Sequence, residues 1–542
     1  MADSRSDGAV LYLNGRVWAG AGHEPGDQTA IAVSDSRIVA VGKGADLADR
    51  FPRAHRIDLQ GRTVIPGLID AHSHAIRGGA TWTQELHWDG LRTREAALAT
   101  IAAAASSAPA GAWITVIGGW HQTQFNGGWL PTRLELDEVA PGHPVYVQSL
   151  YEVGVANSRA SAAANLADAA AGMAGLIDLD QQGDPTGSVR GLPAYNLFLA
   201  AAGMPTPDQQ VESTRRMFRD FAALGLTGIC DPGGFGMAPE KYDAIYELWR
   251  RGALDVRTRM YLSATDAGQE YDQVREWLRF EHRGFGDDWL RVTGIGEVVH
   301  LGCHDFEGLT DFWIEDDALE ELFRISSLVA SRGWPLHIHA VLDDSIGRIL
   351  DCWERANAVT PIGALRFSIA HADQIGPTNI ARLKALGVGI VLDARQVFRS
   401  GASQAAWGVD AMGNVPPLRD LTEAGVPLGL GSDATRASSH NPWLTLGWMV
   451  AGRSLDGSSQ RDARHLATRA EALDLHTRGS AWFSFDEGNR ATLAAGRLAD
   501  FAVLSDDYFT VETDEIARLH AELTVAGGRV SFSSGLLGQA TD

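Results

Sequence analysis

The sequence predicts an α/β fold: a (β/α)8 barrel carrying a small composite β-sandwich domain built from both chain ends. Three observations predict it. Short apolar runs alternate with helical patterns through the middle of the chain, both ends are strand-rich, and a long segment interrupts the alternation after its first strand. Alternating strand and helix signals argue for parallel strands joined by helices.

At the N-terminal end, Val10-Leu11-Tyr12-Leu13, Ala30-Ile31-Ala32-Val33 and Arg37-Ile38-Val39-Ala40-Val41-Gly42 read as strands, with Asn14-Gly15 as a hairpin signal. The C-terminal end resumes that style in Phe501-Ala502-Val503-Leu504 and around Gly527-Gly528. Residues 1–62 and 486–542 are therefore expected to pair into one discontinuous domain. Between them, in residues 63–485, eight runs fit barrel strands: 63–70, 227–231, 258–263, 293–298, 335–340, 366–371, 388–393 and 427–433. Helical patterns such as 317–331, 346–356 and 378–385 separate several of them, and eight such units close most economically into a barrel. The interrupting segment, about 76–219, contains a helix opening at Thr93 and strands at 113–117 and 145–147. An insertion after a barrel strand lies over the face where barrel enzymes assemble their sites, so a lid or pocket wall is expected.

Composition narrows the function classes. A net charge of −22 disfavours a bare nucleic-acid or anionic-membrane surface, because phosphate attraction needs clustered cations. Only three cysteines occur, without a CxxC, so neither a disulfide framework nor a zinc knuckle is expected and a reducing cytoplasm fits. Residues 1–7 carry no apolar run after their charges, so no secretory signal is expected, and the apolar run at 96–105 reads as a helix too short to span a membrane. Tryptophan is in excess, with 16 in the chain. Trp82, Trp88, Trp113, Trp120 and Trp129 fall in the insertion, where Trp82, Trp88, Trp120 and Trp129 with Phe125 could wall an apolar pocket or pack the insertion onto the barrel.

The chemistry concentrates at the predicted strand ends. His72 and His74 follow the first strand, and alternate residues of a strand point the same way, so both can share one metal. His337-Ile338-His339 ends the fifth strand, Ala370-His371-Ala372-Asp373 the sixth and Gly431-Ser432-Asp433 the eighth. Any one of these alone is ordinarily a hydrogen-bonded core histidine or a helix-capping aspartate. Four strand ends with metal-type ligands make coincidence a poor account.

These motifs resemble the amidohydrolase superfamily, specifically its amidohydrolase-3 (YtcJ-like) family. The resemblance runs from Val64-Ile65-Pro66-Gly67-Leu68-Ile69-Asp70-Ala71-His72-Ser73-His74, through Gly119-Trp120-His121, Pro131-Thr132 and Asn157-Ser158, to Ala495-Gly496-Arg497-Leu498-Ala499-Asp500-Phe501. It implies a metallo-hydrolase in which His72 and His74 hold a deeper metal, His339 and His371 an outer one, and Asp433 is both ligand and catalytic carboxylate. Glu297 falls where many relatives carry a carboxylated lysine, and its own carboxylate could bridge two metals; a buried ion pair is the alternative. His337 shares the parity of His339 and could replace it. Tyr151-Glu152 stands where the family has Gly-His, a departure near the pocket that weakens any transfer of substrate identity; Glu152, His121 and His337 are candidate substrate contacts beside Trp82, Trp88 and Trp120.

The implied cofactor is Zn²⁺, one or two per chain, which lowers the pKa of bound water toward 7 and polarises a carbonyl. Asp433 would then carry a proton from the water to the leaving nitrogen. The implied reaction is hydrolysis of an amide or N-substituted formamide bearing an apolar or aromatic group, in a homodimer. A cyclic amide, ester or lactone hydrolase, a deaminase, or a non-catalytic binding homologue are the rival readings.

Overall fold

A computed structural model describes residues 8–537; the segment 1–7 read for a secretory signal, and 538–542, lie outside the described residues. Eight parallel strands form the central layer. They are β1 (Leu68–Asp70), β2 (Leu226–Asp231), β3 (Arg257–Leu262), β4 (Leu290–Ile295), β5 (His337–Ala340), β6 (Ser368–His371), β7 (Gly389–Leu392) and β8 (Leu428–Leu430). Strands β1 to β4 pair in order, as do β5 to β8. At one seam Ile295 of β4 pairs in parallel with Leu336 and donates to the Pro335 carbonyl at 3.1 Å. At the other, the amide of Ala71 donates to the Leu430 carbonyl at 2.9 Å. The result is TIM-barrel-like.

Nearly every strand residue is buried, which suits parallel strands covered on both faces and explains why they read as continuous apolar runs. Helix Asp316–Ser331 shows how the outer layer is built: Leu322, Ile325 and Val329 recur at helical spacing on its buried face, and Asp316 and Asp317 occupy the first turn, where the helix dipole favours acids. Helix Pro207–Ala223 begins with a Thr206/Gln209 capping box and a proline in its first turn, and buries Met217, Phe218 and Phe221. It packs on β2 and on helix Asp243–Arg250, so the barrel layer resumes inside the span 76–219 expected as insertion.

Two further differences from the expected elements have clear causes. The run 63–70 is two strands: Thr63–Pro66 pairs antiparallel with Phe501–Leu504 in the small domain, and only Leu68–Asp70 enters the barrel. Gly67 is the switch, since a Cβ there would lie 2.2 Å from Thr227 Oγ1. Asn14-Gly15 does not close a hairpin. Asn14, at φ +57°, carries the chain from one sheet of the small domain to the other, because Val10–Leu13 pairs with Ala30–Ser34 and His55–Asp58 while Arg16–Val17 pairs with Thr63–Pro66.

The second sheet adds Ala521–Ala526 and Arg529–Ser533, joined through Gly527 and Gly528. Both glycines have positive φ, and a Cβ on Gly528 would meet the Asp35 carbonyl at 2.0 Å. Tyr12, Val33, Ile38, Val64, Phe501 and Val525 share the core between the sheets. Cys230, Cys303 and Cys352 are free and buried. Among the described residues, no helix is long and apolar enough to cross a membrane.

The insertion has its own five-stranded sheet, Ile114–Ile117, Val145–Ser149, Val153–Ala156, Pro185–Val189 and Ile177–Leu179 in spatial order. Its tryptophans correct an expectation. Trp88, Trp120 and Phe125 fill the insertion's own core with Val116 and Val147, and Trp129 stacks on Trp88. Trp82 packs on Phe221 and His87 and donates to Asp220 at 2.9 Å. Neither Trp82, Trp88 nor Trp120 lines the cavity described below, because a segment with its own sheet needs its own large apolar side chains.

Candidate metal centre

The site begins with Asp70, the last residue of β1. Its carboxylate accepts from the His72 amide (3.1 Å), the Ser432 amide (3.0 Å) and the Ser432 hydroxyl (2.5 Å), tying β1 to the chain beyond β8. Burial pushes its pKa up to about 6 despite the Ser432 bonds that lower it. This tie holds the His72 to His74 stretch, which lies beyond the strand, against the chain beyond β8.

Each imidazole is held by one nitrogen and presents the other. His74 Nδ1 donates to the Gly233 carbonyl at 2.9 Å, and His371 Nδ1 to Asp393 at 2.6 Å, which leaves both Nε2 atoms with a lone pair. His72 Nδ1 lies 2.9 Å from His337 Nε2, and His337 Nδ1 lies 2.8 Å from the Ser368 hydroxyl. His339 Nε2 donates to the Phe306 carbonyl at 2.5 Å beside Asp305, which turns Nδ1 inward.

The presented atoms converge. Glu297 Oε1 is 3.1 Å from His339 Nδ1, 3.5 Å from His371 Nε2 and 3.7 Å from His72 Nε2, while Oε2 is 3.3 Å from His74 Nε2. Asp433 Oδ1 is 3.3 Å from His74 Nε2 and 3.5 Å from His72 Nε2. Ligands about 2.1 Å from a tetrahedral ion stand about 3.4 Å apart, so these separations are those of a coordination shell. His72 Nε2 is buried with no hydrogen-bond partner, an atom whose lone pair or proton is otherwise left unmatched. The donor set of imidazole and carboxylate suits zinc and similar divalent ions.

Electrostatics matches. Burial alone would raise Glu297, but His72, His339 and His371 hold it well below the usual carboxylate range. Asp433 is likewise held well below its usual value, against burial, by His72 and His74. His339 rises to about 9, against burial, through its bonds to Asp305 and Glu297. Burial drives His304 and His337 well below the ordinary imidazole value. His371 and Asp433 both sit in the left-handed region, at φ +77° and +56°, backbone strain of the kind that gathers at functional sites.

Above the cluster lies a cavity of about 420 Å³, whose wall includes Arg77, Tyr151, Tyr195, Phe235, Phe306 and Leu192. His74, Glu297, His339, His371 and Asp433 line its floor. His337 does not reach it; this candidate substrate contact stands behind His72. His121 and Glu152 also lie outside the lining. They bond each other at 2.8 Å, and Glu152 continues to Arg399 at 3.2 Å, which pairs with Glu307 on the wall. Against burial, His121 and Arg399 hold the Glu152 pKa down, so the pair buttresses the wall as a charged chain.

Sequence reasoning misses the groups behind the ligands. Asp393 directly follows β7, a strand-end position like those of the other candidates, so its signal is present but unread. Arg395, at 3.3 Å from Asp393 and 3.2 Å from Asp373, gathers the carboxylates behind Asp433. Nothing in the local sequence marks Asp305, whose oxygens accept from the Val341 and Leu342 amides and steady the loop beside His339.

Imidazoles and carboxylates gathered past the C-terminal strand ends of a barrel-like sheet, beside a composite β domain, define a TIM-barrel-like α/β metallohydrolase. The sequence profile of the amidohydrolase family matches residues 56–532, and that of an imidazolonepropionase-like composite domain matches residues 30–54. The chain belongs to the amidohydrolase family and is a hydrolase of carbon–nitrogen bonds. It is similar to the N-substituted formamide deformylase of Arthrobacter pascens, 27% identical over 93% of this chain and 94% of that one. It is also similar to YtcJ of Bacillus subtilis, 26% identical over 94% and 97%. In fold it is similar to an uncharacterized metal-dependent hydrolase from Pyrococcus furiosus, with a TM-score of 0.66 and 21% identity over 93% of this chain and all of that one.

Proposed function

We propose that this protein is a metal-dependent amidohydrolase that cleaves an amide or N-substituted formamide. In this reading the barrel is closed, His72, His74, Glu297, His339, His371 and Asp433 hold one or two zinc ions, and the enzyme works in the cytoplasm. The observation that carries it is the convergence of six buried ligand-type side chains, five of them on the cavity floor, around the partnerless His72 Nε2. A divalent ion held there supplies Lewis acidity, which withdraws electrons from a carbonyl and makes water acidic near neutral pH.

The chain's own residues do the rest. Glu297 faces imidazoles on both of its oxygens and would help to hold the ion or ions bound there. The Asp433 carboxylate takes the proton of the attacking water and returns it to the leaving nitrogen, since an amide anion is a poor leaving group. Asp393 and the His337–Ser368 pair fix the rings of His371 and His72, as outer partners of metal ligands do. Phe235 and Phe306, with rings 3° from parallel and 6.1 Å apart, offer an apolar face to the substrate.

The test is a hydrolysis screen of N-aryl and N-benzyl formamides and amides, with ureas and lactones beside them, read by amine release. Turnover of the formamides and amides is expected. Turnover of lactones alone would replace this reading with that of an ester hydrolase.

A further inference from the structure

Outside the cavity, three ligand-type side chains meet that take no part in the chemistry above. Glu270 opens helix Glu270–Phe280, His300 lies in the loop after β4, and Glu321 stands on helix Asp316–Ser331. The two helices pack on each other, and each of the three residues brings one ligand-type atom within 4.8 Å of the other two. His300 Nε2 is 3.7 Å from Glu321 Oε2.

Glu270 is the informative member. It is only 1% exposed, and its Oε1 accepts from the Leu301 amide at 3.2 Å. Its other oxygen, Oε2, is buried and has no hydrogen-bond partner. A buried carboxylate oxygen without a donor is costly, and a bound cation is one of the few things that relieves it. Arginines of the surrounding helices are engaged elsewhere: Arg324 lies over the Tyr271 ring at 4.3 Å, and Arg348 bonds Asp316 and the Ile314 carbonyl. Among the described residues, neither Glu270 nor Glu321 is ion-paired with an arginine or lysine. His300 does not settle the balance, since even a protonated ring offsets one carboxylate of the two. A divalent cation offsets both.

We propose that Glu270, His300 and Glu321 form a second divalent-cation site, structural and separate from the cluster beneath the cavity, with zinc suited to its mixed imidazole and carboxylate donors. Glu321 is partly exposed, so its side chain is free to close on the ion and water can complete the shell. The Gly302 amide donates to His300 Nδ1 at 3.1 Å. Coordination through Nε2 places the ring proton on Nδ1, so that amide gives up its bond and the turn Leu301–Cys303 adjusts. This turn lies within the loop that carries Glu297 before it and His304 and Phe306 after it. His304 stacks on His339 with ring centroids 3.8 Å apart, and the Phe306 carbonyl accepts from His339 Nε2. The ion would therefore fasten, from the outer layer, the loop that builds one side of the cavity floor.

The site is independent of the reaction assigned to the cavity, and its test reads binding and position, not turnover. Zinc stoichiometry is measured by equilibrium dialysis on the whole chain, in wild type and in a His72→Ala/His74→Ala background that cripples the cluster. In both, one equivalent should disappear when Glu270→Gln or Glu321→Gln is added, and zinc-soaked wild-type crystals should give an anomalous peak among the three side chains. Binding to the folded state alone also predicts that zinc raises the unfolding temperature of the His72→Ala/His74→Ala protein, and raises it less once Glu321→Gln is added. Should Glu270→Gln fail to fold, Glu321→Gln, at a partly exposed position, decides the stoichiometry. Zinc content unchanged by Glu321→Gln, or crystals with no anomalous peak at these residues, overturns the site and leaves His300 and Glu321 as an ion pair only.

Discussion

At the residue scale, the candidate ligands and the groups behind them should separate by what each loses. Asp433→Asn keeps a side chain of the same shape but cannot take a proton, so turnover should fall about a thousandfold while metal content stays near wild type. Rates within a few-fold of normal would remove Asp433 as the shuttle. Glu297→Ala should lower the metal stoichiometry, and unchanged content would leave Glu297 with a purely electrostatic part. His337→Ala removes the partner of His72 Nδ1 without touching the cavity, and metal affinity should drop about tenfold to a hundredfold, read by competition with a chelator. The candidate ligands are legible in the sequence because strand ends and residue type mark them. Their partners are not: Asp305 and Arg395 reach the site from loops whose direction only tertiary packing decides.

At the element scale, the insertion is legible as a segment with strands at its heart, but the use of its tryptophans is not. Hydrophobic residues in a pocket wall and in a core have the same composition, and only the insertion's own sheet decides between them. Trp120→Ala should therefore cost about 3–5 kcal/mol of stability with little effect on substrate KM. A raised KM with unchanged unfolding would return the indole to the pocket. The strand run 63–70 teaches the same lesson, since no polar residue interrupts it between Thr63 and Asp70. Only the close approach of Thr227 reveals that Gly67 divides it between two sheets, and Gly67→Ala should destabilise the junction measurably in denaturant unfolding.

At the scale of the whole molecule, the fold class is legible because eight βα units leave few alternatives. The joining of its parts is not, because it depends on buried charge. Arg259 bonds Asp486 at 2.9 Å and Arg257 bonds Asp500 at 2.8 Å, linking barrel strand β3 to the C-terminal segment. Burial opposes ionisation, but Arg259 and Arg490 hold Asp486, and Arg257 and Arg490 hold Asp500, below the ordinary carboxylate value. Their folded pKa values thus lie under the unfolded one. The stability they contribute is complete above about pH 4 and is lost as pH falls through the depressed folded values. Asp486→Asn should cost about 3–5 kcal/mol at neutral pH and flatten the acid side of the stability profile. An unchanged acid limb would place that dependence elsewhere.

The central claim is that the cluster beneath the cavity holds the metal on which hydrolysis depends, and metal content measured together with amidase activity through a cycle of chelation and restoration tests it most directly. The account predicts one to two equivalents of zinc or a similar divalent ion per chain in that cluster, activity lost with the metal and regained with it. A protein that cleaves amides at its full rate after the last metal has been removed would contradict it.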